Sequence, residues 1–151
     1  MITVVIIPGN QKAVILWAWD KVKEYLKPAI DRLNGRYNDE DVLNLLLQDN
    51  SSYQLWIVTN GSNVIAACIT QLIQYPRKIF TYIFLIGGKD LKAWEFKLLS
   101  EIAEFAVANG CSGIETFGRK GWLKVLGKYG FKDQKIAATE YCFTGSTNGQ
   151  I

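Results

Sequence analysis

The tightest constraint on the fold lies between residues 53 and 90. "YQLWIVT" and "NVIAACITQLIQ" are two runs rich in β-branched and aromatic residues, and Asn60-Gly61 stands between them. Asn-Gly flanked by such runs is the strongest short hairpin signal, because glycine adopts the positive φ that a tight turn needs. A second turn, Tyr75-Pro76-Arg77-Lys78, leads into "IFTYIFLI". Three antiparallel strands in a meander follow from this pattern. The periodicity then changes. After Gly87-Gly88-Lys89-Asp90, the apolar residues Leu91, Trp94, Leu98, Ile102, Phe105 and Ala106 recur at helical spacing, and Asn109-Gly110 closes the helix.

The flanking segments supply the remaining elements. "ITVVII" reads as a short strand stopped by Pro8-Gly9. From Val14 to Leu33 the apolar positions, Trp17 and Ala18 among them, predict a helix that kinks or breaks at Pro28. "NDEDVLNLLLQD" predicts a second helix, with Asn38 as N-cap and Asp39, Glu40 and Asp41 at the positive end of its dipole. Beyond the main helix, "CSGIETFG" reads as a strand, "WLKVLGKYGF" as a short helix and "KIAATEYCFT" as a last strand. The order is β-α-α-β-β-β-α-β-α-β. Its strand–helix–strand unit requires one parallel pair beside the antiparallel meander. The fold class is therefore α/β (α+β) with a mixed sheet. A single domain over residues 1–144 and a polar, frayed tail over 145–151 are expected.

Composition narrows the chemistry. The 151 residues contain no histidine, which removes Ser-His-Asp and Cys-His catalysis and any histidine-based zinc site. No metal is expected. Cys68, Cys111 and Cys142 are scattered without a CxxC spacing, as befits buried free thiols in a reducing, cytoplasmic compartment. There is no apolar run long enough to span a membrane, and the N-terminus lacks a basic leader and cleavage site. The net charge of +3 is unevenly spread: residues 119 to 135 hold six positive side chains and one negative, Asp133. Such a segment suits a phosphate-bearing ligand, nucleic acid or plain solubility, but no recognised nucleic-acid motif accompanies it.

The element order, the glycine turn feeding the main helix, and the "Gly-Phe" before the last strand together resemble the GNAT superfamily of acyl-CoA-dependent N-acyltransferases. Three segments, "GRYNDEDVLNLLL", "IQYPRK" and "GIETFGRKGWLKVL", are similar to small GNAT-like proteins encoded by tailed bacteriophages. The resemblance implies acetyl-CoA as co-substrate and an amine or protein as acceptor. It also implies an alternative: a catalytically degenerate phage protein that binds a phage or host partner as a virion or assembly component, in the host cytoplasm or the virion.

In this superfamily the loop after the fourth strand binds the coenzyme A pyrophosphate through backbone N–H groups. The matching place here is Ile86-Gly87-Gly88-Lys89-Asp90. Both glycines permit close backbone approach, but the leading Arg or Gln of the family loop is missing. Asp90 is also a natural N-cap, and a capping carboxylate would compete with a phosphate for the same donors. Many members protonate the departing thiolate with a tyrosine one helical turn before the Gly of "Gly-Phe". Here that position is Leu126, while Tyr129 lies next to Gly130. For the general base, Tyr82 is the only titratable residue of "IFTYIFLI" and a poor base at neutral pH. Glu115 is the better carboxylate, with a plain surface ion pair to Arg119 or Lys120 as its other reading. Gly118-Arg119-Lys120-Gly121-Trp122 follows that strand. Arg119 offers a fork of donors for a phosphate or carboxylate, and Trp122 a stacking face or a core anchor.

Of the other tryptophans, Trp17, Trp56 and Trp94 read as packing residues. Trp19 falls on the polar face of the first helix beside Asp20, Lys23 and Lys27, where exposure would hint at a protein contact. Arg77-Lys78 reads as exposed turn charge.

Overall fold

The computed structural model describes residues 1–118, 126–135 and 141–146. Among them the chain runs β1 (Ile2–Ile7), α1 (Lys12–Asp31), α2 (Asp39–Leu47), β2 (Tyr53–Asn60), β3 (Asn63–Gln74), β4 (Ile79–Gly88), α3 (Leu91–Ala108), β5 (Gly113–Gly118), β6 (Lys132–Lys135) and β7 (Tyr141–Ser146). The described strands form one mixed sheet in the order β1-β2-β3-β4-β5-β7-β6. All pairings with a described register are antiparallel except β4 with β5, which run parallel. This is the expected α+β architecture, with the meander and its single parallel pair joined by α3.

Two compact units divide the chain, the first comprising Met1–Gln71 and Leu85–Leu98, the second Leu72–Phe84 and the residues from Leu99 onward. In the first unit, the β2–β3 register places Asn60 opposite Asn63, so Gly61 and Ser62 make the tight turn and Gly61 takes a φ of +62°. Leu55 to Val58 on β2 and Ile65 to Thr70 on β3 are buried on both faces, which is why these runs are continuously apolar rather than alternating. Within them, Trp56 Nε1 donates to Thr70 Oγ1 (2.9 Å), and Thr70 in turn donates to Gln54 Oε1 (2.6 Å).

Both helices of this unit form where the sequence places them. On α2 the Asn38 side chain accepts from Asp41 N and the Asp41 carboxylate accepts from Asn38 N, each at 2.9 Å, a reciprocal capping box. On α1 the proline does not end the helix, and the readings of Trp17 and Trp19 are both corrected. The helix passes through Pro28 without a break, because Pro28 sits in the last turn and only one intrahelical bond is forfeited. It ends instead just before Asn34 and Gly35, both at positive φ. The buried stripe is Ile15, Ala18, Trp19, Val22, Leu26, Ala29 and Ile30. Trp19 is thus a core residue at 6% exposure, whereas Trp17, expected to pack, is 63% exposed with the Lys21 ammonium 4.7 Å from its ring centroid. Spacings of four and three from Ile15 through Trp19 and Val22 to Leu26 set the inward face, and two residues along a helix is a turn of about 200°.

In the second unit, β4 and β5 pair from Phe80↔Gly113 to Ile83↔Thr116. β7 pairs antiparallel with β5 along its whole length, from Gly113↔Ser146 to Gly118↔Tyr141, and with β6 on its other side. The strand β6 was not expected. β7 also reaches Ser146, two residues into the segment expected to fray. Of the expected helix over residues 122–131, Leu126 and Gly127 are helical and residues 128–130 form a turn; 122–125 lie outside the described residues. No helix among the described residues is long and apolar enough to cross a membrane.

Candidate functional site

The turn between β4 and α3 belongs to the first unit, and its special residues are explained by their neighbours. A Cβ on Gly87 would lie 2.1 Å from the backbone oxygen of Tyr25. One on Gly88 would lie 2.3 Å from the Ala66 Cβ and 2.6 Å from the Ile65 oxygen. Both glycines are therefore demanded by close approach of this chain's own α1 and β3 backbone. The Lys89 N–H donates to Ile65 O (2.8 Å), and the Lys89 carbonyl accepts from the buried Trp94 Nε1. The Lys89 ammonium lies 5.8 Å from the Tyr25 ring centroid. Ile86, the residue before the glycines, is half-buried.

Asp90 does not adopt the conformation of the expected cap. Its φ is +53°, outside the extended region in which an N-cap side chain reaches its helix, and its carbonyl accepts from Ala93 N (2.8 Å). The Lys89 N–H is already spent, so any anion at this turn would be met by the first N–H groups of α3, Leu91 and Lys92, which precede the intrahelical ladder.

The second unit holds a different kind of surface. Strand β4 alternates: Thr81 and Ile83 are buried, while Phe80, Tyr82 and Phe84 are only half-buried. On β5, Ile114 and Thr116 share the buried side, and Thr116 Oγ1 donates to Ile83 O (2.6 Å) at the last rung of the parallel ladder. Thr81 Oγ1 and Cys111 Sγ are hydrogen-bonded at 3.3 Å beneath it. On the other side Glu115 stands beside Tyr82 and is half-exposed, and Phe117 is 49% exposed. The Tyr82 ring meets Phe117 edge-on at 5.7 Å between centroids and lies 6.0 Å from Phe84. Tyr75, from the turn before β4, packs edge-on against Phe80 at 5.9 Å and donates its hydroxyl to Glu115 Oε1.

Glu115 is thus brought together with Tyr75, a residue that sequence reasoning passed over, and with the ring face of β4. No cation among the described residues pairs with it. Aromatic residues at every second position of "IFTYIFLI" were the available signal for the rings; nothing in the sequence pointed to Tyr75. Tyr129 stands half-buried in the turn after Leu126, its N–H donating to Leu126 O (3.0 Å) and Lys128 Nζ 5.4 Å from its ring. Leu126 itself is buried. Arg119, Lys120 and Trp122 lie outside the described residues.

The fold has clear relatives among solved structures. An N-acyl amino acid synthase, FeeM, from uncultured soil microbes matches with a TM-score of 0.67 at 10% identity, over 99% of this chain and 93% of that one. The PaiA N-acetyltransferase of Thermoplasma acidophilum, in complex with coenzyme A, matches at 0.65 and 16% identity, over 97% and 99%. NAA60 of Arabidopsis thaliana, in complex with acetyl-CoA, matches at 0.65 and 12% identity, over 99% and 100%. The fold is that of the GNAT acyltransferases. No family model and no curated protein matches the sequence. What the chain shares with these three neighbours is the fold.

Proposed function

We propose that this chain is an acyl-CoA-dependent N-acyltransferase. The observation that carries the reading is the match of nearly the whole chain, parallel β4–β5 pair included, to acyltransferases solved with coenzyme A or acetyl-CoA. Ile86, Gly87, Gly88 and Lys89 would form the coenzyme side, together with Arg119 and Trp122. The spent Lys89 N–H shifts the anion-binding duty to the start of α3 and to the lysine and arginine side chains. The thioester supplies the acyl group: the amine nitrogen forms a C–N bond to the carbonyl carbon, and the C–S bond breaks with its electron pair going to sulfur.

The chain's own groups handle the protons. Glu115 accepts the proton that the ammonium must lose before its nitrogen can attack, and the Tyr75 hydroxyl orients the carboxylate for this. Tyr129 donates a proton toward the departing sulfur in place of the tyrosine that Leu126 replaces. Holding amine and thioester together accounts for most of the rate.

Titration of acetyl-CoA into the purified chain, followed by calorimetry and thermal shift, tests the proposal. Ligand at roughly one hundred times its dissociation constant should add about 2.7 kcal/mol of stability. Binding that weakens in Arg119→Ala is expected. Absence of binding at millimolar acetyl-CoA would overturn the reading.

A further inference from the structure

Three features of the Glu115 face point to the kind of molecule it holds. The first is ring area. Phe80, Tyr82 and Phe84 line one side of β4, Phe117 continues the surface on β5, and Tyr75 adds a fifth ring; Tyr75 and Phe117 are 43% and 49% exposed. Gly113 keeps the floor low, since a Cβ there would stand 2.9 Å from the Phe80 ring. The second is charge. Glu115 is a carboxylate set among these rings, hydrogen-bonded to Tyr75 and, among the described residues, paired with no cation. The third is stoichiometry: Glu115 is the one carboxylate on β4 and β5.

We infer that this face seats the acyl acceptor, and that the acceptor is a monoammonium compound carrying an apolar body about the size of an aromatic ring. A cation is attracted both to the carboxylate and to the negative faces of the rings, so the two contributions coincide at one place. The apolar body covers ring surface that water otherwise wets. A polyamine's second charge would meet no second carboxylate among the described residues of β4 and β5, and a carboxylate ligand would meet Glu115 as a like charge. Tyr75 acts as a positioning residue: by donating to one Glu115 oxygen it leaves the other to face the ammonium. The assignment rests on the acyltransferase reading for the word acceptor, but the binding chemistry stands apart from it.

The test is calorimetric titration of 2-phenylethylammonium, phenylacetate and 1,4-diaminobutane into the full chain, with and without saturating coenzyme A. Glu115→Gln and Phe117→Ala are measured alongside, each checked for unchanged thermal unfolding. The expected result is binding of 2-phenylethylammonium that weakens about tenfold in Glu115→Gln and about fivefold in Phe117→Ala. Phenylacetate should not bind, and 1,4-diaminobutane should bind at least about tenfold more weakly than the aromatic amine. Equal affinity for phenylacetate, or an aromatic amine indifferent to both substitutions, overturns the inference. So does acetyl-CoA binding without any amine binding, and in that case the transferase reading survives. Amine binding without acetyl-CoA binding does the reverse: the seat stands and the transferase falls.

Discussion

The turn at Gly87–Asp90 and the face around Glu115 look alike in one respect: each gathers residues that a search for chemistry would choose. They differ in what those residues are already doing. In the turn, both glycines are pressed against Tyr25 and Ala66, the Lys89 N–H is bonded to Ile65, the Lys89 carbonyl to Trp94, and the Lys89 ammonium rests near the Tyr25 ring. On the face, the rings are half-exposed and the carboxylate has a tyrosine hydroxyl for company but no cation among the described residues. A residue spent on its own fold has little left for a ligand. The motif that draws the eye is the less available of the two.

That contrast can be broken most directly at Gly88. Gly88→Ala forces a Cβ to within 2.3 Å of Ala66 and 2.6 Å of Ile65 O, and backbone cannot yield as a flexible side chain would. Loss of about 3 kcal/mol in denaturant unfolding is expected. An unchanged midpoint with lost acetyl-CoA affinity would instead show that the glycine serves a ligand.

A second test sharpens how dry the first unit is. Burial pushes the Cys68 thiol well above its ordinary value of 9.0. A pKa raised on folding gives a contribution fully present below the unfolded value and lost as pH rises toward the folded one. Stability should therefore fall above pH 9, by about 1.4 kcal/mol per pH unit for this group, and Cys68→Ala should flatten that slope. Urea unfolding at a series of alkaline pH values checks it.

Smaller effects separate the two sides of the β4–β5 pair. Thr116→Val removes the bond to Ile83 O on the buried side and should cost about 1 kcal/mol. On the open side Glu115→Gln should change stability by no more than about 0.5 kcal/mol while lowering amine affinity. If Glu115→Gln proved the more destabilising of the two, the face would be structural and the contrast with the turn would vanish.

Much of the fold was legible because its signals are local. The β-branched and aromatic runs of the meander, the Asn60-Gly61 turn, the Asn38 capping box and the period of the helices each depend on residues a few positions apart. The lone parallel pair followed from the strand–helix–strand order. What stayed hidden was non-local. The choice of Trp19 over Trp17 as the core residue depends on which side of α1 packs inward, and apolar residues on both sides of the helix left the sequence pattern pointing to the wrong one. The strand β6 is four residues of mostly polar sequence, given its conformation by pairing with β7.

The candidate site divides along the same line. Glu115 could be picked out as a carboxylate on the strand after the main helix, and Gly87-Gly88 as a place where backbone comes close to something. The sequence by itself determined the element types and their order through β5, and the residues capable of chemistry, because propensity, periodicity and capping act over a turn or two. Only the tertiary structure decided what the glycines approach, since Tyr25 and Ala66 lie far away in the chain, and which residue addresses Glu115, since Tyr75 is 40 positions distant. Helix packing and strand pairing set those meetings, and both are properties of the assembled chain.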